Sequence, residues 1–388
     1  MVEETPRGFL VRKLDPALSM VYVEPTSRCN LRCRTCVRNS WDEPMGDMSM
    51  ETYRRLVEGL RPVRSLRKMS FWGFGEPLLH PDIVEMVRMA KELKVKTEIV
   101  TNGLLLTREI SESMVEVGLD SIVISMDGTS PESYGDIRLG SDFQLVLDNV
   151  RMLQEARAEV PGKIPDRGPE VGIEFVVMRR NVAELANLPK LAAQMGAVFV
   201  VVSNLLPHTE EMSEEVLYGR WAGSSFDFGH SLWNPELLLP KISTRPEVIA
   251  PLTKLIESRG VIGGTGMADG LDSPSYCKFV GEGSAVVSWD GEVSPCVAMM
   301  HSYPCYILGR PKEIKRYTLG NVNQEDIKDI WQKEEFRRFR GQVQRFDFPP
   351  CTDCGPCPLN ATNEVDCFGN TFPVCGDCLW AKGVLQCP

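Results

Sequence analysis

Six short apolar runs mark the first half of the chain, at residues 20–24, 68–73, 96–101, 121–126, 171–178 and 198–203. They are rich in Val, Ile and Phe and mostly bounded by Gly, Asn or Pro, as buried strands are. Between them, apolar residues recur at helical spacing. Pro81 is placed to open one helix, with Ile83, Val87, Ala90 and Leu93 on one face. Asp142 is placed to cap a second, which carries Phe143, Val146, Val150 and Leu153. Asn181 and Glu184 form a capping-box-like start to a third, followed by Leu185, Leu188 and Leu191. Alternating strands and helices predict an α/β fold with a parallel sheet. Six strands with crossover helices predict a partial (β/α)6 TIM-like barrel over residues 20–206. In such folds, sites gather at the C-terminal ends of the strands.

The pattern weakens after residue 206. Residues 207–276 include a loop-like stretch at 221–228 and a glycine-rich one at 260–270, and read as a bridge. Residues 277–388 are full of turns and hold ten of the 13 cysteines. Such a segment gains its stability from bound metal. Residues 1–19 form an N-terminal extension.

Composition narrows the class. The 388 residues are 43% hydrophobic and 25% charged, ordinary for a globular protein with a large core. A formal charge of -10 argues against a nucleic-acid partner, which needs a basic face. The acidic start, Met1-Val2-Glu3-Glu4, has no apolar signal segment, and no stretch is apolar enough to span a bilayer. A cytoplasmic protein with no membrane partner is expected. The cysteine count is odd and the spacings are tight, so metal or cluster ligation explains them better than disulfides.

Three cysteines stand alone near the N-terminus. Cys29, Cys33 and Cys36, spaced C-x3-C-x2-C, follow the first strand at its C-terminal end. Three thiolates this close can hold three irons of one cubane, leaving the fourth open to a small molecule. The alternatives are buried structural cysteines, or a zinc site that recruits a fourth ligand from elsewhere.

This loop resembles that of the radical S-adenosylmethionine (SAM) superfamily, except that Thr35 stands where an aromatic residue is common. The resemblance implies a 4Fe-4S cluster whose open iron is chelated by SAM. Reductive cleavage then yields a 5'-deoxyadenosyl radical. Gly73-Phe74-Gly75-Glu76-Pro77, ending the second strand, is similar to the family's Gly-Gly-Glu motif for the SAM amino group. Glycines permit close backbone approach, and a carboxylate suits an ammonium. By the same resemblance, Ser125 and Asp127 would bind the SAM ribose or carboxylate. Arg138 or Arg179 would pair with that carboxylate, and Ser203-Asn204 would line the adenine side or the substrate cavity. His208 is either a general base or a surface residue. Asp127-Gly128 also fits a surface turn, and either arginine fits a solvated one.

The later cysteines are Cys277, Cys296, Cys305, Cys351, Cys354, Cys357, Cys367, Cys375, Cys378 and Cys387. The opening, Cys277-x13-Gly291-x4-Cys296, resembles the SPASM domain, which implies one or two auxiliary 4Fe-4S clusters. Gly320-Asn321-Val322 ahead of Ile327-Lys328-Asp329-Ile330-Trp331 is also typical of it. The later spacing departs from the family pattern, so ligands are not assigned to individual clusters. Two full cubanes need eight thiolates, which leaves two spare or one for catalysis. Zinc knuckles at Cys351–Cys357 or Cys375–Cys378 are the structural alternative.

Arg38 to Gly46 and Cys375 to Ala381 look like the radical SAM maturases associated with tungsten-dependent aldehyde ferredoxin oxidoreductases. That resemblance implies a protein, peptide or cofactor substrate belonging to a tungsten oxidoreductase. It also implies an external reductant such as ferredoxin or flavodoxin. Modification of a ribosomal peptide or a sulfatase is the competing enzymatic reading. The 19 residues before the first strand leave no leader-binding domain, which counts against the peptide case. A non-catalytic electron-transfer or zinc-scaffold protein is the reading from another class.

Overall fold

The computed structural model describes residues 2–5, 8–11, 15–159, 168–219, 236–243, 245–257, 276–354 and 357–387. The loop expected at 221–228 and the glycine-rich stretch at 260–270 lie outside these residues. A hairpin of β1 (Val2–Thr5) and β2 (Gly8–Val11) precedes the barrel. All six expected strands form: β3 (Met20–Val23), β4 (Lys68–Phe71), β5 (Lys96–Thr101), β6 (Ser121–Ser125), β7 (Glu170–Val177) and β8 (Phe199–Asn204). They lie side by side in chain order and are parallel throughout.

The sheet is wider than six strands. β9 (Glu236–Leu238) extends it beyond β8, in parallel. At the other edge, β10 (Ser284–Val287) pairs in parallel with β3, placing Ser284 beside Met20 and Val287 beside Val23. β11 (Val293–Ser294) closes that edge in antiparallel fashion. The six expected strands are all present, and the sheet extends beyond them to eight parallel strands plus one antiparallel strand. The cause is the open edge of β3, whose N–H and C=O groups must be paired. The apolar run that pairs them comes from the cysteine-rich end of the chain. A boundary at residue 277 thus cuts through the sheet. A second hairpin, β12 (Tyr303–Ile307) and β13 (Arg310–Ile314), stands apart from it.

Strand alternation sorts the two faces. Val21, Val23, Met69, Phe71, Ile99, Ile122, Ile124 and Ile173 are buried beneath the helices. The inner face is polar: Tyr22, Ser70, Glu98 and Ser121 lie level across β3 to β6. Ser70 and Ser121 donate to Glu98 at 2.9 and 3.2 Å, and Lys68 pairs with it at 2.7 Å.

The helices depart from expectation in two places. Helix Ile83–Glu92 begins two residues after Pro81, because Asp82 N–H is tied back to His80 Nδ1 at 3.2 Å. Residues 182–187 make a 3-10 helix rather than an α-helix, with helix Leu188–Met195 following. Asn181 does not cap it. Its side chain accepts from Met178 N–H at 2.7 Å and donates to the Asp127 and Val176 carbonyls, while Glu184 accepts from Thr129 N–H. Asp142 does cap helix Phe143–Glu159, accepting from Leu145 N–H at 3.0 Å. Among the described residues, no helix is long and apolar enough to cross a membrane.

Candidate active site at the barrel mouth

The cysteine loop leaves β3 through Glu24 and Pro25 and is pinned by backbone at both ends. Ser27 N–H donates to the Gly46 carbonyl at 3.0 Å, and Met48 N–H to that of Pro25 at 2.8 Å. Midway, Arg34 N–H donates to the Ile137 carbonyl at 2.9 Å, and Arg38 Nη2 to that of Leu31 at 2.7 Å. Cys29, Cys33 and Cys36 are free thiols, each half-buried. Burial pushes the Cys29 thiol up, and the Cys33 thiol up to about 11 despite the nearby Arg138 charge. Three thiolates are stable here only with a compensating cation, which cluster iron supplies.

The Gly73–Glu76 turn packs against this loop. A Cβ on Gly75 would lie 2.0 Å from the Thr26 carbonyl oxygen, and one on Gly73 would lie 2.6 Å from Glu24 Cγ. Glu76 N–H donates to the Arg28 carbonyl at 2.8 Å. Gly75→Ala is therefore expected to displace the loop. Anaerobic iron analysis should show loss of the N-terminal cluster while the later cysteines keep theirs, and unchanged iron would refute this. The Glu76 carboxylate, expected to meet the SAM amino group, has partners within the protein as well. It is buried and accepts from Leu78 N–H (3.0 Å), Thr101 Oγ1 (2.7 Å) and Asn102 N–H (2.8 Å), so its oxygens organise the next loop. Asn102, not foreseen, reaches the cluster loop. Its Nδ2 donates to Asn30 Oδ1 at 2.8 Å and lies 3.9 Å from the Cys29 sulfur. A polar residue ending a strand, just ahead of Gly103, was the available signal.

Ser125 is half-buried at the end of β6, level with Glu174 of β7. Asp127 is fully buried. Its Oδ1 accepts from Val176 N–H at 3.0 Å. Its Oδ2 lies 2.9 Å from Arg138 Nε but out of hydrogen-bond alignment, so both atoms are buried without a hydrogen-bond partner. Burial, then repulsion from Asp127, pushes Glu174 up to about 7.

Three further candidates are engaged with backbone. Arg179 is exposed and donates through Nε to the Glu214 carbonyl at 2.8 Å, away from the cysteine loop. Asn204 donates to the Lys241 and Val384 carbonyls, and Ser203 accepts from Gln386 N–H, so this pair anchors the C-terminal segment. His208 is buried against the Arg34 carbonyl at 2.7 Å and braces the cysteine loop. Each was read from its place after a strand, a cue that does not say which way a side chain turns.

The later cysteines separate into sets. Cys277, Cys296, Cys375 and Cys378 line one cavity floored by Phe279, Met299 and Phe339. They line a volume rather than a point: among the described residues, no three His, Cys, Asp or Glu side chains converge on one metal-ion position. The Cys351 sulfur packs against Gly376, while Cys354 and Cys367 are exposed. Cys305 stands across the β12–β13 hairpin from Lys312, within a cluster that includes Trp41 and Tyr218. Lys312 meets both Asp377 oxygens at 2.9 Å. Cys387 accepts from Trp380 Nε1 at 3.1 Å, within electrostatic reach of Glu174. Cys305 is thus set apart from the four, while Cys387 shares a buried cluster with Cys296 and Cys375.

The residues at the mouth fit a 4Fe-4S cluster carrying SAM: a three-thiol loop, a glycine turn with no room for a Cβ at Gly73 or Gly75, and a buried guanidinium at Arg138 beside Asp127. Comparison with known proteins agrees. Residues 23–165 match the Radical SAM superfamily, and residues 277–358 match SPASM, an iron-sulfur cluster-binding domain. A tungsten-containing aldehyde ferredoxin oxidoreductase cofactor-modifying protein of Pyrococcus furiosus is 31% identical over 380 residues, which is 96% of this chain and 97% of that protein. A PqqA peptide cyclase of Gluconobacter oxydans is 26% identical over 375 residues, 93% of this chain and 90% of that one. SuiB of Streptococcus suis, solved bound to precursor peptide SuiA, shares the fold with a TM-score of 0.58 at 16% identity, covering 84% of this chain and 66% of SuiB. The chain belongs to the radical SAM superfamily, among the enzymes that carry a C-terminal SPASM iron-sulfur domain.

Proposed function

We propose that this enzyme acts in the maturation of a tungsten-containing oxidoreductase, modifying its polypeptide or its pterin cofactor. The observation that carries this reading is the end-to-end match to the Pyrococcus furiosus cofactor-modifying protein. Enzymes of this family use a 4Fe-4S cluster and SAM, and SPASM domains bind auxiliary iron-sulfur clusters. When reduced and bound to SAM, the cluster supplies the 5'-deoxyadenosyl radical. The protein supplies orientation, shielding and electronic tuning.

In this reading, Cys29, Cys33 and Cys36 hold three irons. The backbone of Gly73 and Gly75 receives the SAM amino group, with Glu76 holding the cradle in shape from behind. Arg138, charged and buried, receives the SAM carboxylate, and Ser125 meets the ribose. Cys277, Cys296, Cys375 and Cys378 hold one auxiliary cluster, and Cys351, Cys354, Cys357 and Cys367 serve a second. A cytoplasmic reductant such as ferredoxin or flavodoxin supplies the electron. Residues 20–206 form the barrel, 207–276 the bridge and 277–388 the auxiliary domain, which lends two strands to the barrel sheet.

The test has two stages. The protein is reconstituted anaerobically with iron and sulfide, then given dithionite and SAM, and 5'-deoxyadenosine is expected. It is then incubated with a tungsten oxidoreductase made in cells lacking this enzyme. A mass change in that partner's cofactor or polypeptide is expected. Steady 5'-deoxyadenosine with an unaltered partner would sink the tungsten reading. A peptide substrate is the second reading, favoured by the similarity to a peptide cyclase across most of the chain. It predicts a mass change in a short precursor peptide instead.

A further inference from the structure

A buried charged group links the auxiliary domain to the barrel mouth. His301 lies between the 3-10 turn Val297–Met299 and β12, and only 1% of its side chain is exposed. Its Nε2 is 2.8 Å from Glu24 Oε2, and its Nδ1 is 2.6 Å from Glu43 Oε2. Carboxylates only accept, so both ring nitrogens must donate, and the ring is an imidazolium. Burial pulls its pKa down, yet the bonds to Glu24 and Glu43 carry it up to about 9. The rings of Trp41, at 4.4 Å, and Phe74, at 5.8 Å, enclose it.

Its two partners belong to the SAM machinery. Glu24 ends the first barrel strand, and its Oε1 accepts from Phe74 N–H at 3.2 Å, in the middle of the Gly73–Glu76 cradle. The same side chain occupies the space that a Gly73 Cβ would need. Glu43 lies on the return of the cysteine loop, and its other oxygen accepts from Ser302 N–H at 2.7 Å. The chain of contacts therefore runs from the auxiliary domain through His301 to Glu24, and on to the backbone that faces SAM.

We infer that His301 is a positioning residue for SAM: shared between Glu24 and Glu43, it fixes the cradle backbone from the auxiliary domain. The inference rests on Gly73–Glu76 being the SAM cradle. Within the contact chain, the Glu24 bond is the one that reaches the cradle. The Glu43 bond only ties down the loop return.

Amide replacements separate the two bonds. His301→Gln keeps a donor at the Nε2 position, facing Glu24, and His301→Asn keeps one at the Nδ1 position, facing Glu43. SAM affinity of the reduced, reconstituted protein is read from the change that SAM makes in the cluster's electron paramagnetic resonance spectrum. His301→Asn and His301→Ala are expected to weaken SAM by about tenfold, since Glu24 loses its counter-charge and keeps only the backbone donors of Phe74 and Trp289. His301→Gln should stay within about threefold of the parent. The rate of 5'-deoxyadenosine formation at saturating SAM should change far less than the affinity. Parental iron content shows that each variant is folded. Should a His301 variant lose iron, Glu24→Ala removes the same bond from the barrel side, and a loss of at least tenfold is expected. Parental affinity in His301→Asn or Glu24→Ala, or a His301→Gln variant as weak as His301→Ala, would overturn the inference. A parent protein that holds its cluster but binds no SAM would overturn the cradle reading itself.

Discussion

Cys33→Ala is expected to abolish 5'-deoxyadenosine formation and to remove about four irons per chain, leaving the auxiliary iron in place. The loop carrying Cys33 is shaped by backbone bonds to Gly46, Pro25 and Ile137, so it does not need the thiol to hold its course. The fold should survive, and the loss should be confined to one cluster. Iron and sulfide analysis, with electron paramagnetic resonance of the reduced protein, would show one cluster signal missing. An active Cys33→Ala protein with full iron would remove this loop from the chemistry. Cys305→Ala offers the contrast. Its thiol packs among Trp41, Tyr218 and Tyr303, so iron content should remain at the parental level.

Asp127→Ala carries the largest expected cost in stability. Asp127 is fully buried and is the carboxylate beside the Arg138 guanidinium, whose side chain is 10% exposed. Removing it leaves a buried cation uncompensated, which costs about 3–5 kcal/mol. Val176 N–H loses its acceptor as well. The denaturation midpoint of the anaerobic protein should fall sharply. Asp127→Ala with Arg138→Met should recover much of that fall, because the double change removes both charges. It should not recover SAM binding if Arg138 receives the SAM carboxylate. A single variant as stable as the parent would mean that Arg138 reaches another partner or water.

The legible parts of this protein were those whose chemistry is local. Three thiols within eight residues announce a cluster whatever surrounds them. Gly75 announces a close backbone approach, and it meets the Thr26 carbonyl. Strands β3 to β8 were legible because their helix-facing side is apolar throughout, which leaves short runs rich in Val, Ile and Phe. Arg179 and Asn204 were read by one shared rule, that polar residues after strands face the site, and both side chains turn to backbone carbonyls instead. Neighbouring residues at a strand end point to opposite sides, and only packing selects which. Asn181 and Glu184 failed as a cap because their side chains found partners near Asp127 that no local pattern contains.

The sequence by itself determined six strands of a parallel α/β fold, a three-thiol loop after the first of them and a cysteine-rich C-terminal segment. These follow from spacing and periodicity over a few tens of residues, while the cofactor chemistry came from resemblance to a known family. Tertiary structure decided how the halves join. Ser284–Val287 pairs with Met20–Val23 because an open strand edge must be satisfied, and its partner lies more than 250 residues away. It likewise grouped Cys277 and Cys296 with Cys375 and Cys378. It also placed His301 between Glu24 and Glu43, since a buried charge needs opposite charge from wherever the chain can bring it.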